Sequence, residues 1–195
     1  MKTIKYNITH EYIVQKSKFI SMLYQVNSEE EVIKILNKLK LEYKDATHIC
    51  YAYIINNIKR FQDDGEPSGT AGMPILNVLE NQKLNLILAV VIRYFGGIKL
   101  GAGGLVRAYT TSVVEALENQ DLGEIVSGYK VTITFQYNNS KLIDNTLKNY
   151  TIINKEFDSE ITYIVNIPKT EYIKIENIIK NNVHSIKKED ILLIM

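Results

Sequence analysis

Apolar residues recur along this chain at two spacings, and the spacing divides it into elements. Ile4 to Val14 and Lys18 to Val26 are rich in β-branched and aromatic residues, which predicts an opening pair of strands. Ser28 stands before EEEVIKILNKLKLEY with Glu31 three residues on, the pattern of a capping box. Val32, Ile35, Leu36 and Leu39 then fall at helical spacing, predicting a helix over 29–43. HICYAYII (His48 to Ile55) predicts a strand. Thr70 is placed to cap a short helix over 71–80 whose buried stripe is Ile75, Leu76 and Leu79. Leu86 to Tyr94 is apolar on both faces, as a central strand of a covered sheet would be. Leu105, Tyr109, Val113 and Leu117 repeat every four residues, predicting a long amphipathic helix with Arg107, Thr111, Glu115 and Glu118 on its polar side.

The segment NQDLGEIVSG, residues 119–128, carries two glycines and predicts a boundary. Beyond it the order changes. VTITFQY reads as a strand and SKLIDNTLKNY as a helix. TIINKEF and ITYIVNI read as two strands separated by a tight turn at Asp158 and Ser159. TEYIKIENIIKNN reads as a helix and DILLIM as a closing strand. That order, β-α-β-β-α-β, is the ferredoxin-like split pattern. The expected protein is therefore α+β, with an N-terminal domain over residues 1–126 and a small ferredoxin-like domain over 127–195.

Composition narrows the function classes. The chain has 195 residues, 46% hydrophobic and 23% charged, close to an ordinary globular protein. Its formal net charge is +1, so any contact with nucleic acid must use a local patch. The single cysteine, Cys50, excludes an internal disulfide framework and a multi-cysteine zinc site. The N-terminus lacks the apolar core of a signal peptide, and the run Leu86 to Ile92 is far short of a membrane span. These features lead us to expect a cytoplasmic protein with no membrane partner.

Eight of the ten glycines lie between Gly65 and Gly104, in the runs DDGEPSGTAGMP and RYFGGIKLGAGGLVRAY. Such density implies positive φ or close backbone approach. The second run is a strand, a glycine-rich turn and a helix, a geometry that can offer helix N–H groups to an anion. It is no Walker A loop, because Ala102 and Gly103 follow Gly101. It is no dinucleotide loop either, because Gly101 and Gly103 are followed by Val106. From Asn81 to Val114 there are four basic residues and no acidic one. Arg93, Lys99 and Arg107 could thus form an anion site with the backbone of Gly96, Gly97, Gly101, Gly103 and Gly104. A tightly packed turn whose arginines pair with nearby carboxylates explains the run equally well. In the first run Asp63, Asp64 and Glu66 suit an ordinary turn. They could also hold a divalent cation, though without EF-hand spacing, or brace Arg93 or Arg107 in a buried ion network.

His48 and Cys50 would face the same side of a strand, where a Cys–His nucleophile pair is conceivable. A lone cysteine is more commonly a small buried hydrophobe. Ser68, in GEPSGT, does not match G-x-S-x-G. Thirteen tyrosines invite an RNA-stacking reading, but the RNP pattern is absent and Tyr163 and Tyr172 are expected at a core edge or on the surface.

DDGEPSGTAGMPIL followed by VVIRYFGGIKLGAGGLVRAY resembles the motifs of the YigZ/IMPACT family. HICYAYII is similar to that family's His-x-Cys-x-Ala segment and KSKFI to its opening motif, over about residues 10–115 in order. Ile49 departs from the family, where a polar residue often follows the histidine. The resemblance implies an N-terminal domain like domain two of ribosomal protein S five, and a C-terminal domain similar to a late domain of elongation factor G. Eukaryotic members regulate translation with an extra N-terminal module that we do not expect here, so their mechanism is not expected to transfer. Residues and resemblance together suggest a non-enzymatic, translation-associated regulator. It would bind RNA, a ribosomal surface or a protein partner between the two glycine runs, with no cofactor or metal. The alternative is an enzyme acting there on a small phosphorylated or carboxylated molecule, with Asp64 or Glu66 as acid/base. A third reading is a protein-interaction module using the exposed sheet of the C-terminal domain.

Overall fold

The computed structural model describes residues 1–195, which divide into two units, Met1–Gly123 and Glu124–Met195. The first opens with β1 (Lys2–Ile4), β2 (Ile8–Val14) and β3 (Ser17–Gln25), so the first predicted strand is broken at residues 5–7. There follow α1 (Glu29–Glu42), β4 (His48–Ile55), β5 (Ile58–Gln62), α2 (Gly72–Asn81), β6 (Ile87–Tyr94) and α3 (Gly101–Leu117). Strands β2 to β6 form one sheet in the order β2-β3-β6-β4-β5, every neighbouring pair antiparallel.

The central place of β6 explains its composition. All residues from Ile87 to Arg93 are buried. Ile87, Ala89 and Val91 join Cys50, Ala52 and Ile54 in one core cluster with Ile75 and Leu79 of α2 and Leu105, Tyr109 and Val113 of α3. Alternation sends Leu88, Val90 and Ile92 to the opposite face. Tyr53 also points there, and its hydroxyl donates to Glu29 in the first turn of α1. The predicted capping box forms: Ser28 Oγ accepts from the Glu31 N–H at 3.3 Å, and Glu31 Oε2 accepts from the Asn27 N–H at 2.8 Å.

Strand β5 was not legible in the pattern because all five of its residues are exposed. It extends the sheet edge through a hairpin, with Asn56 at φ 54° in the turn, and meets α2 through polar contacts such as the Lys59–Glu80 ion pair. The predicted cap of α2 is also corrected. Thr70 Oγ1 donates backwards to the Pro67 carbonyl at 2.6 Å, and α2 begins at Gly72 under the Asp63 carboxylate.

The second unit contains β7 (Leu122–Phe135, which begins just before the division), α4 (Ser140–Leu147), β8 (Thr151–Phe157), β9 (Ile161–Pro168), α5 (Lys169–Asn182) and β10 (Ser185–Ile194). Antiparallel pairing gives the order β10-β7-β9-β8. Val131, Ile133, Phe135, Ile161, Val165 and Ile167 pack with Ile143 and Leu147 of α4 and Ile179 of α5. Tyr163 and Tyr172 belong to the interior of that core, 2% and 1% exposed, and not to its edge or the surface as expected. Each ring fills core volume through an edge-to-face contact, Tyr163 on Phe135 and Tyr172 on Tyr129. No helix of the chain is long and apolar enough to cross a membrane.

Candidate functional site: a pocket at the end of the central strand

His48 and Arg93 are cross-strand partners at the adjoining ends of β4 and β6. Partners in register share a face, here the face carrying α3. Arg93 is buried there and donates from Nη1 to Glu66 Oε1 at 2.6 Å. The Tyr109 hydroxyl of α3 donates to the same oxygen at 2.8 Å. Burial pushes the Tyr109 phenol far above its ordinary value, which keeps that donor protonated. The Arg93 guanidinium carbon lies 5.5 Å from the Phe19 ring centroid and 5.6 Å from that of Phe95. Its Nε is buried with no hydrogen-bond partner.

The three carboxylates of the acidic turn separate in role. Asp63 Oδ1 accepts from the N–H groups of Ala71 and Gly72 at 3.1 and 2.8 Å, and its Oδ2 from that of Gly69 at 2.8 Å. Asp64 Oδ2 accepts from the Ile49 N–H at 2.6 Å. Only Glu66 reaches an arginine. The same turn orients His48: the Asp64 carbonyl lies 2.7 Å from His48 Nδ1. A carbonyl can only accept, so Nδ1 carries a proton and Nε2 is the ring nitrogen turned toward Glu66. That Nε2 is 3.9 Å from Glu66 Oε2.

The glycine loop does several jobs. A side chain at Gly96 would collide with the Lys16 carbonyl, so the two backbones are in contact. Gly97 and Gly101 sit at φ 86° and 70°. Gly103 and Gly104 lie inside the first turn of α3 at ordinary helical φ. No side chain caps that turn and it holds no acidic residue, so its leading N–H groups retain their partial positive charge.

These elements enclose an open pocket of about 350 Å³, lined by Thr47, His48, Glu66, Pro67, Arg93, Phe95, Lys99, Leu100, Gly101, Ala102 and Leu105. Of the residues expected from sequence, the pocket gathers Glu66, Arg93, Lys99 and Gly101. Asp63 and Asp64 are engaged behind it, and Gly96, Gly97, Gly103, Gly104 and the exposed Arg107 lie outside its lining. Sequence reasoning missed Thr47, Phe95 and Tyr109, and treated His48 only as a partner for Cys50. That pairing is overturned. The Cys50 thiol donates to the Asp63 carbonyl at 2.9 Å and lies 3.3 Å from the Tyr109 hydroxyl. Burial pushes it up to about 12, so no thiolate exists at neutral pH.

All the lining residues fall within residues 15–117, the stretch that matches the family described as "Impact N-terminal domain". The chain belongs to the YigZ/IMPACT family. It is 50% identical over 120 residues to the IMPACT family member YvyE of Bacillus subtilis, covering 60% of this chain and 55% of that one. The chain thus spans about half the length of that relative. An IMPACT family member of Haemophilus influenzae is 35% identical over 167 residues, covering 82% of this chain and 81% of its own. A crystal structure titled as that of an hypothetical protein superposes with a TM-score of 0.62 at 30% identity, over 96% of this chain and 95% of that one.

Proposed function

We propose that this YigZ/IMPACT protein is a cytosolic, non-enzymatic, translation-associated regulator that binds RNA through the pocket beside Arg93. Residues 1–126 form a domain like domain two of ribosomal protein S five. Residues 127–195 form a ferredoxin-like domain similar to a late domain of elongation factor G. Family membership and the β10-β7-β9-β8 sheet order support this reading.

One observation carries the site assignment: Lys99, the uncapped first turn of α3 and the Phe95 ring line the same open cavity. Lys99 and the helix N–H groups suit a phosphate, and an exposed aromatic beside them suits a base. The test is binding of labelled single-stranded RNA and of ribosomes across a salt series, with Lys99→Ala in parallel. Removing one phosphate contact should shallow the salt dependence by about one unit of log–log slope. Binding that ignores salt, or that Lys99→Ala leaves unchanged, would overturn the assignment.

A second reading, an enzyme acting on a small phosphorylated or carboxylated molecule, is favoured by His48. Its Nδ1–H is held by the Asp64 carbonyl, leaving Nε2 free to take a proton inside the pocket. Asp64 is unsuited to that task because its carboxylate is engaged by the Ile49 N–H. Turnover of a phosphate-ester panel that disappears in His48→Asn would establish this reading over the first.

A further inference from the structure

We infer that His48 is a proton switch on this pocket: a proton taken up at its Nε2 adds positive charge to the lining and strengthens the hold on RNA phosphate. This rests on the phosphate-binding reading above and adds the regulation of that site.

The ring is held in a way that accepts either charge state. Nδ1 donates to the Asp64 carbonyl at 2.7 Å with or without a second proton on the ring. Nε2 faces Glu66 Oε2 at 3.9 Å, too long for a hydrogen bond and close enough for an ion pair once the ring is charged. The side chain is 20% exposed and lines the open cavity, so Nε2 exchanges protons with solvent without unfolding. Imidazole is the side chain that ordinarily changes charge near neutral pH.

The groups around the ring set the sign of the effect. From the acidic turn, Glu66 and the Asp64 carbonyl both favour the charged ring. The Asp63 and Asp64 carboxylates lie behind it, engaged by backbone N–H groups. From β6, Arg93 opposes it, but Glu66 Oε1 at 2.6 Å offsets that charge. Cys50, two residues along β4, and Tyr109 of α3 stay protonated and neutral. The charged side chains lining the cavity are then Arg93, Lys99 and Glu66, a sum of +1 with a neutral ring and +2 with a charged one. An entering phosphate favours the second state. Binding therefore takes up a proton, and linkage requires affinity to rise as pH falls through the histidine range. His10 and His184 contact Glu115 and Glu160, and neither lines the cavity.

The experiment is binding of a single-stranded oligouridylate without terminal phosphates to the full chain, from about pH 5.5 to about pH 8. Its phosphodiesters keep one charge state over that range, unlike a phosphate monoester, which titrates near about pH 6. Affinity should be about tenfold higher at the acid end. The salt dependence there should steepen by up to about one unit of log–log slope. His48→Asn, whose amide still has a donor for the Asp64 carbonyl, should flatten the pH profile. Ring-proton NMR of the unmodified chain gives a readout that needs no variant: RNA should move the His48 titration to higher pH and leave those of His10 and His184 in place. RNA binding that is equal across the range, an acid gain that survives in His48→Asn, or a His48 titration that RNA leaves unmoved would each overturn the switch while leaving the phosphate site standing. Absence of RNA binding at every pH would overturn both readings.

Discussion

Arg93 Nη1 and Glu66 Oε1 stand 2.6 Å apart with their side chains only 6% and 3% exposed, so the central strand and the acidic turn are joined by a buried ion pair. Removing one member of such a pair leaves a charge in a site that cannot solvate it, at a cost of about 3–5 kcal/mol. Arg93→Ala should therefore lower stability by that order in urea unfolding. Glu66→Gln should cost less, because an amide oxygen can still accept from Arg93 and Tyr109. Combining Arg93→Met with Glu66→Leu would remove both charges and should recover part of the loss. An Arg93→Ala penalty below about 1 kcal/mol would place the pair among solvated ones.

The Asp63 carboxylate takes N–H groups from Gly69, Ala71 and Gly72, and so does for α2 what the sequence pattern assigns to Thr70. Loss of an N-terminal cap typically costs about 0.5–2 kcal/mol. Asp63→Ala should fall at the upper end of that range, and Thr70→Ala, which loses one bond to the Pro67 carbonyl, should cost less. Thermal unfolding of the two variants decides the order. A larger loss in Thr70→Ala would return the cap to threonine.

What the sequence revealed follows physical lines. Helix α1 was legible because one buried face imposes a helical period, and strand β6 because burial on both faces makes a continuous apolar run. Strand β5 imposes no such period, since it pairs at an edge with every residue exposed. The Asp63 cap acts across a loop, outside the local window that a capping pattern scans. At the site, the two glycine runs marked the right region, because close approach at Gly96 and positive φ at Gly97 and Gly101 demand glycine. The pattern could not tell which of Asp63, Asp64 and Glu66 meets which arginine. That is set by the His48–Arg93 register and by the turn at Gly65, at φ 83°, whose ideal side-chain position would touch the His48 ring.

The glycines of the second run should respond oppositely to alanine. At Gly96 the added carbon would run into the Lys16 carbonyl, and Lys16 itself sits in a turn at φ 63°. Overpacking against backbone costs about 1–3 kcal/mol or more, so Gly96→Ala should unfold at markedly lower urea. At Gly103 the nearest atom is the flexible Arg107 Nη1 at 3.7 Å and the residue is helical. Alanine gains up to about 1 kcal/mol over glycine in a helix, so Gly103→Ala should be neutral to stabilising. Destabilisation there as large as at Gly96 would show that the start of α3 is more tightly packed than this geometry allows.

The Cys50 thiol predicts a loss of stability in alkali. Its ordinary value of 9.0 is pushed up to about 12, chiefly by burial, with the nearby Glu66, Asp64 and Asp63 carboxylates acting in the same direction. Above pH 9 the unfolded chain releases this proton and the folded chain keeps it. The folded state then binds more protons, so stability falls as pH rises, by about 1.4 kcal/mol per unit until the folded thiol itself ionises. Below pH 9 both states are protonated and the thiol contributes no slope. Tyr109, raised by burial, and Tyr53, pushed up to about 12 by burial and its bond to Glu29, add to the loss above their ordinary value of 10.0. Urea midpoints measured from pH 8 to 11 should therefore decline. Cys50→Ala should start lower, because it leaves a small void, yet decline less steeply between pH 9 and 10, before the tyrosines contribute. Parallel curves for the two proteins over that interval would show that the thiol titrates near its ordinary value and that the space between Asp63 and Tyr109 admits water.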